Sequence, residues 1–141
     1  MAAIPWTKLH GASTHFPIVL TFAAFLCDFS SVVLWPRPIA RGSQVAGLCA
    51  IVFAAAGSMA AVFSGLFLTR GEFWGAADLG RHHRYVWPAL ALIVGAATWR
   101  WSVRNGLTRP SYAAYLAVVL ASLVLVGLAG NSGGEMLQAA P

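Results

Sequence analysis

The sequence predicts an all-α integral membrane protein: a four-helix up-down bundle, read as a single transmembrane domain over residues 1–141. Two observations carry this. Hydrophobic residues are 59% of the 141 and charged residues only 9%, against about 25% charged in an ordinary soluble domain. A domain this small exposes much of its surface, and so few charges cannot cover it. The chain also divides into four apolar runs, each near the roughly 20 residues needed to cross a bilayer. A soluble enzyme, a disordered chain and a disulfide scaffold are excluded, and no length remains for an extramembrane domain.

The first run is expected over 16–35, ended by Pro36-Arg37-Pro38, because two prolines so close cannot continue a helix. The second is expected over 44–69, between Arg41-Gly42-Ser43 and Arg70-Gly71. The third is expected over 79–103, stopped by Arg104-Asn105-Gly106. The fourth starts at Pro110, a good first helical residue, and is expected over 110–130, leaving through Asn131-Ser132-Gly133-Gly134. No linker, low-complexity tract or clear repeat is read. Cys27 and Cys49 lie inside apolar runs without metal-pair spacing and are expected as small buried residues. The N-terminal residues lack the order of a cleaved signal peptide, so the first helix is expected to direct insertion.

Nine Lys and Arg outnumber four Asp and Glu. The bases stand singly at the ends of apolar runs and form no stripe, so membrane orientation accounts for them and nucleic acid does not. The 1–2 and 3–4 connections hold Arg37, Arg41, Arg100, Arg104 and Arg109 with no acid; the other side holds Lys8, Arg70, Arg81 and Arg84 with Glu72, Asp78 and Glu135. This places both termini and the 2–3 loop outside.

All four histidines fall on that outer side. His10 and His15 stand at the start of helix 1, His82 and His83 at the start of helix 3, and an up-down bundle brings those starts to one level. Neutral imidazole ligates metals. Helices 1 and 3 are diagonal, and a bundle core is where cofactor sites are built. A haem b held by two axial histidines fits such a slot. Space would come from Gly57, Ala61 and Gly65, four residues apart on one face, and from Gly127 and Gly130. Arg81 and Arg84 flank the histidine pair and would face propionates. Two other readings stay open on these residues: a haem-free bundle whose small-residue faces pack helices, and a copper site using histidine and Met136.

The segment Leu9-His10-Gly11-Ala12-Ser13-Thr14-His15-Phe16-Pro17-Ile18-Val19-Leu20 resembles the opening of the DUF2231 family of small four-helix bacterial membrane proteins, with its His-Phe-Pro-Ile before an apolar helix. Asp28, His82 or His83, and Gly127 through Glu135 match an acid, a histidine and a glycine ending of that family. The resemblance covers nearly the whole chain. It implies a bacterial inner-membrane protein and strengthens the expectation of a b-type haem.

His15, on the first turn of helix 1, is the expected ligand. Its expected partner is His82, in register with Val86 and Ala89, with His83 turned about 100° away. His10 is expected outside the pocket, or as a second-site or quinone contact. Asp28 lies 13 residues beyond His15, about 20 Å along the helix, so it is expected to pair with Arg41, Arg100 or Arg104; an intramembrane acid otherwise suggests proton entry. Glu135 is expected to accept from the second nitrogen of a histidine. The six tryptophans lie near the ends of the runs, as in an aromatic belt, and Glu72-Phe73-Trp74 is an expected docking surface.

No nucleophile–base pair, phosphate loop or carboxylate pair occurs, so neither hydrolysis nor group transfer is read. The expected function is a small electron carrier, similar to a b-type cytochrome. It would exchange electrons with quinone or a periplasmic redox partner, within or beside a larger complex. The alternatives are a haem-free anchoring subunit and a copper-binding protein.

Overall fold

A computed structural model describes residues 6–104 and 108–139. They form four helices: α1 (Trp6–Val33), α2 (Ile39–Leu68), α3 (Ala77–Ser102) and α4 (Arg109–Ala139). Each helix packs against its neighbours in a ring, α1 on α2, α2 on α3, α3 on α4 and α4 on α1, which leaves α1 and α3 diagonal. The starts of α1 and α3 and the ends of α2 and α4 therefore share one end of the bundle, called here the histidine end.

The pattern of burial is that of a membrane protein. Large apolar side chains such as Phe16, Phe22, Phe29, Phe53 and Phe63 stand on the outer surface, while Ala24, Ala54 and Ala96 fill the middle. Thr21, Ser58, Ser64, Ser122 and Ser132 are buried with them. Lipid takes the large residues, and small ones let helix backbones approach. Buried hydroxyls need partners: Ser58, Ser64 and Ser132 donate to carbonyls of their own helices.

Three helices are long and apolar enough to cross a membrane: α1, α2 and Pro110–Met136 of α4. α3 is not among them, because Asp78, Arg81 and Arg84 occupy its first turns and Arg100 its last turn. It packs in the ring beside the others and is 26 residues long. At about 1.5 Å per residue that is roughly 39 Å, longer than a hydrocarbon core of about 30 Å.

The helices exceed their expected bounds at the histidine end. α1 begins at Trp6 instead of 16, because its polar first turns are turned inward: His10 and Ser13 pack on α2. α4 runs to Ala139 through the expected exit Asn131-Ser132-Gly133-Gly134, whose Ser132 bonds back to Ala129. α2 begins earlier, at Ile39, and absorbs Arg41-Gly42-Ser43. The Asn105-Gly106 stop lies outside the described residues. Cys27 is only half-buried and Cys49 is exposed, against the expectation that both are buried.

The reading of no repeat is also corrected. The inward positions of the α1–α2 hairpin recur in the α3–α4 hairpin. His10, Thr21, Ala24 and Asp28 of α1 correspond in order, at one constant spacing, to His82, Ile93, Ala96 and Arg100 of α3. Gly47, Ile51, Ala54, Ala61 and Ser64 of α2 correspond likewise to Tyr115, Val119, Ser122, Ala129 and Ser132 of α4. The two hairpins are repeats related by a pseudo-two-fold axis along the bundle.

Candidate functional site

The histidine end holds a half-open cavity of about 440 Å³, lined among others by all four histidines, Gly65 and Met136. That volume lies within the range of cofactor pockets, roughly 300–1,000 Å³. The lining is mainly apolar, so the imidazoles are its principal polar groups.

Two of them are held alike. His10 Nδ1 donates to the Ala61 carbonyl at 3.0 Å and lies 3.2 Å from Ser64 Oγ. His82 Nδ1 donates to the Ala129 carbonyl at 3.0 Å and lies 3.1 Å from Ser132 Oγ. A carbonyl only accepts, so the proton sits on Nδ1, and in a neutral ring Nε2 keeps its lone pair. Among the described residues neither Nε2 has a hydrogen-bond partner. The glycines after the two serines give these rings room. A Cβ on Gly65 would lie 3.0 Å from His10 Cε1, and one on Gly133 would lie 3.4 Å from His82 Cε1.

Such an imidazole, with Nδ1–H held by a backbone carbonyl and Nε2 free, could serve as a metal ligand. The two stand on diagonal helices of one cavity. Among the described residues no three His, Cys, Asp or Glu side chains gather closely enough to hold a metal ion. His10 and His82 could between them hold the metal of a cofactor that fills the cavity. Met136 does line the cavity.

The remaining candidates are distributed as follows. His10 lies inside the cavity and not outside it. His15 is exposed on the cavity wall. His83 also lines the cavity, so both histidines of the pair reach it; its ring is buried beside Trp87 and its Nδ1 has no partner among the described residues. Gly65 and Gly130 line the cavity, whereas Gly127 is exposed away from it and Gly57 packs on Phe16 and Pro17.

The arginines expected at propionates are placed elsewhere. Arg81 donates to Glu135 at 2.8 Å and to Asp78 at 3.3 Å, tying the start of α3 to the end of α4. Arg84 lines a separate groove with Trp74, Trp87 and His83. Glu135 binds Arg81 and Asn131 and no histidine; backbone carbonyls fill that role because they already lie opposite each ring. In the 2–3 loop, Phe73 stacks on Trp87 and accepts its indole N–H, while Trp74 stands exposed.

The opposite end is closed by a buried node. Asp28 Oδ1 accepts from Arg100 Nη2 at 3.3 Å and from the Tyr112 hydroxyl at 3.1 Å. Arg100 Nη2 also donates to the Gln44 carbonyl at 3.1 Å and to the Tyr112 hydroxyl at 2.9 Å. Of the three arginines expected for Asp28, the structure selects Arg100. The carboxylate rests on Gly47, where a Cβ would lie 2.6 Å from it. Residues of all four helices meet here, far from the histidines.

Ser64, Ser132 and Ala129 also belong to the site and are not singled out by the sequence reading; Ala61, expected only as a source of space, holds His10 through its carbonyl. The signal that finds them is the doubled pattern Ala-x-x-Ser-Gly, at Ala61–Gly65 and Ala129–Gly133.

A family model described as predicted membrane protein, DUF2231, matches residues 7–139. No curated protein matches the chain, and no solved structure does.

Proposed function

We propose, for a chain that belongs to the DUF2231 family of predicted membrane proteins, that the histidine-end cavity holds one haem b between His10 and His82 and that the protein is a membrane electron carrier. The observation that carries this reading is the matched pair of Nδ1–carbonyl bonds, which leaves two Nε2 donors on diagonal helices. Haem would supply reversible one-electron chemistry at its iron. His10 and His82, through Nε2, would hold its iron. Ala61 and Ala129, through their carbonyls, fix the tautomer and orientation of each ring. Gly65 and Gly133 leave space beside the rings, and the apolar walls exclude water.

His15, exposed on the cavity wall, would not hold the iron. The exposed aromatic residues of the 2–3 loop offer a contact for a redox partner, and the lipid phase offers quinone. In this reading the protein resides in a bacterial inner membrane with its histidine end outward. Because the histidine pair stands at one end only, this chain alone would not carry electrons across the whole bilayer.

The test is the absorption spectrum of detergent-purified protein, oxidised and then reduced with dithionite. A reduced b-type band is expected, lost or shifted in His10→Ala and in His82→Ala and kept in His15→Ala. A colourless protein from haem-replete cells overturns the reading and leaves a haem-free packing subunit. Bound copper without a porphyrin spectrum would favour the copper alternative.

A further inference from the structure

The pseudo-two-fold repeat bears directly on the cavity. Each hairpin contributes one histidine from its first helix and one Ala-x-x-Ser-Gly turn from its second. The corresponding distances agree closely: 3.0 and 3.0 Å from Nδ1 to the carbonyl, 3.2 and 3.1 Å from Nδ1 to the serine oxygen. Each serine hydroxyl donates to the same alanine carbonyl that receives the imidazole, at 2.8 Å for Ser64 and 3.0 Å for Ser132. With that proton on the carbonyl, the serine oxygen faces Nδ1–H as an acceptor; Ser64 Oγ also lies 3.1 Å from Ser13 Oγ, a contact Ser132 does not share among the described residues. Both serines are buried. Helix packing alone does not require a hydroxyl at these positions, nor the same hydroxyl twice against an imidazole.

We propose that Ser64 and Ser132 are matched positioning residues, one per hairpin repeat, that hold His10 and His82 as two equivalent sockets, so that the cavity binds its ligand symmetrically from both faces. The identity of that ligand rests on the haem reading; the equivalence of the sockets does not. Each serine acts through its histidine and touches no cofactor. By sharing Nδ1–H it keeps the ring from rotating and strengthens the donor character of Nε2, the effect that outer hydrogen bonds have on metal-bound histidines. The serine, imidazole and carbonyl contacts match in the two sockets, so the two serines are expected to carry similar weight, although Ser64 alone has the Ser13 hydroxyl beside it and the glycine beside His10 leaves less clearance.

Two measurements on the full chain in detergent micelles test this. The first uses haem-free protein with nitrogen-15-labelled histidine. His10 and His82 are expected in the Nδ1–H tautomer, each with a slowly exchanging Nδ1 proton. Ser64→Ala is expected to speed exchange at His10 alone, and Ser132→Ala at His82 alone. The second is hemin titration. Each single alanine variant is expected to weaken binding about tenfold and the double variant about a hundredfold, within the range of outer-partner substitutions. Threonine, which keeps the hydroxyl, is expected to restore binding in each case.

Unequal tautomers in the haem-free protein, or a large effect of one serine beside none of the other, overturn the proposal even if haem binds. Equal tautomers with the expected exchange behaviour in a protein that takes no haem sustain the sockets and overturn the cofactor reading. A variant that loses helicity is replaced by the serine-to-cysteine change, which retains side-chain volume.

Discussion

Asp28 and Arg100 occupy equivalent positions of the two hairpin repeats and bind each other, Arg100 Nη2 donating to Asp28 Oδ1 at 3.3 Å. The axis that relates His10 to His82 thus relates an acid to a base at the other end. Two identical hairpins would bring like charges together here. Opposite charges make the α1–α2 and α3–α4 hairpins complementary, so the node specifies that one of each is paired.

The pair is withdrawn from water, Asp28 at 0% and Arg100 at 3% exposure. Removing one member leaves an uncompensated buried charge, at a cost of about 3–5 kcal/mol. Arg100→Met and Asp28→Leu are each expected to lower the midpoint of detergent-induced unfolding strongly. Their combination removes both charges and is expected to recover more than half of the loss. A double variant no better than the worse single one would show that packing, and not charge pairing, accounts for the effect.

Gly65 and Gly133 are equivalent in position but not in clearance. A Cβ at Gly65 would stand 3.0 Å from His10 Cε1, tighter than ordinary contact, and one at Gly133 would stand 3.4 Å from His82 Cε1. Gly65→Ala is expected to displace the His10 ring and weaken hemin binding about tenfold or more, as loss of ligand orientation does. Gly133→Ala is expected to bind within about twofold of wild type, since 3.4 Å asks little movement of the ring. Titrating both variants side by side checks this; equal losses would show that the His10 clearance does not govern binding.

Four-helix topology was legible in the sequence because lipid imposes long apolar runs and prolines, glycines and arginines punctuate them. The ends of α1 and α4 were not legible. His10, Ser13, Ser132 and Gly133 look like residues of a water-exposed terminus, and only the facing helix shows that they turn inward. For the same reason His15, flanked by Phe16 and Pro17, seemed the better ligand than His10. The repeat escaped because Ser64 follows His10 by 54 residues, whereas Ser132 follows His82 by 50. No single shift aligns both helices of the two hairpins, and the lipid-facing residues between the matched positions differ. Asp28 was legible as a residue remote from the histidines, but the choice among three arginines needed the helix faces.

If His10 and His82 occupy both axial positions, no position remains for a diatomic ligand. The reduced protein is expected not to bind carbon monoxide. His10→Gly and His82→Gly each open one face, and after reconstitution with hemin each is expected to bind carbon monoxide with a similar spectrum. Rapid carbon monoxide binding by the unaltered protein would show that one of these histidines is not a ligand.

Arg81 distinguishes a cofactor role from a structural one. Its side chain is 46% exposed and engages Glu135 and Asp78, which are 49% and 63% exposed. Ion pairs this open to water contribute about 0–1 kcal/mol, and salt screens them further. Arg81→Ala is therefore expected to leave hemin affinity within about twofold and to lower stability slightly, by an amount that shrinks further in high salt. The geometry supports this, because the guanidinium is directed to the end of α4 and Arg81 does not line the cavity. A tenfold loss of hemin affinity in Arg81→Ala, with the unfolding midpoint unchanged, would instead place this arginine at a propionate and require the Glu135 pair to open when the cavity fills.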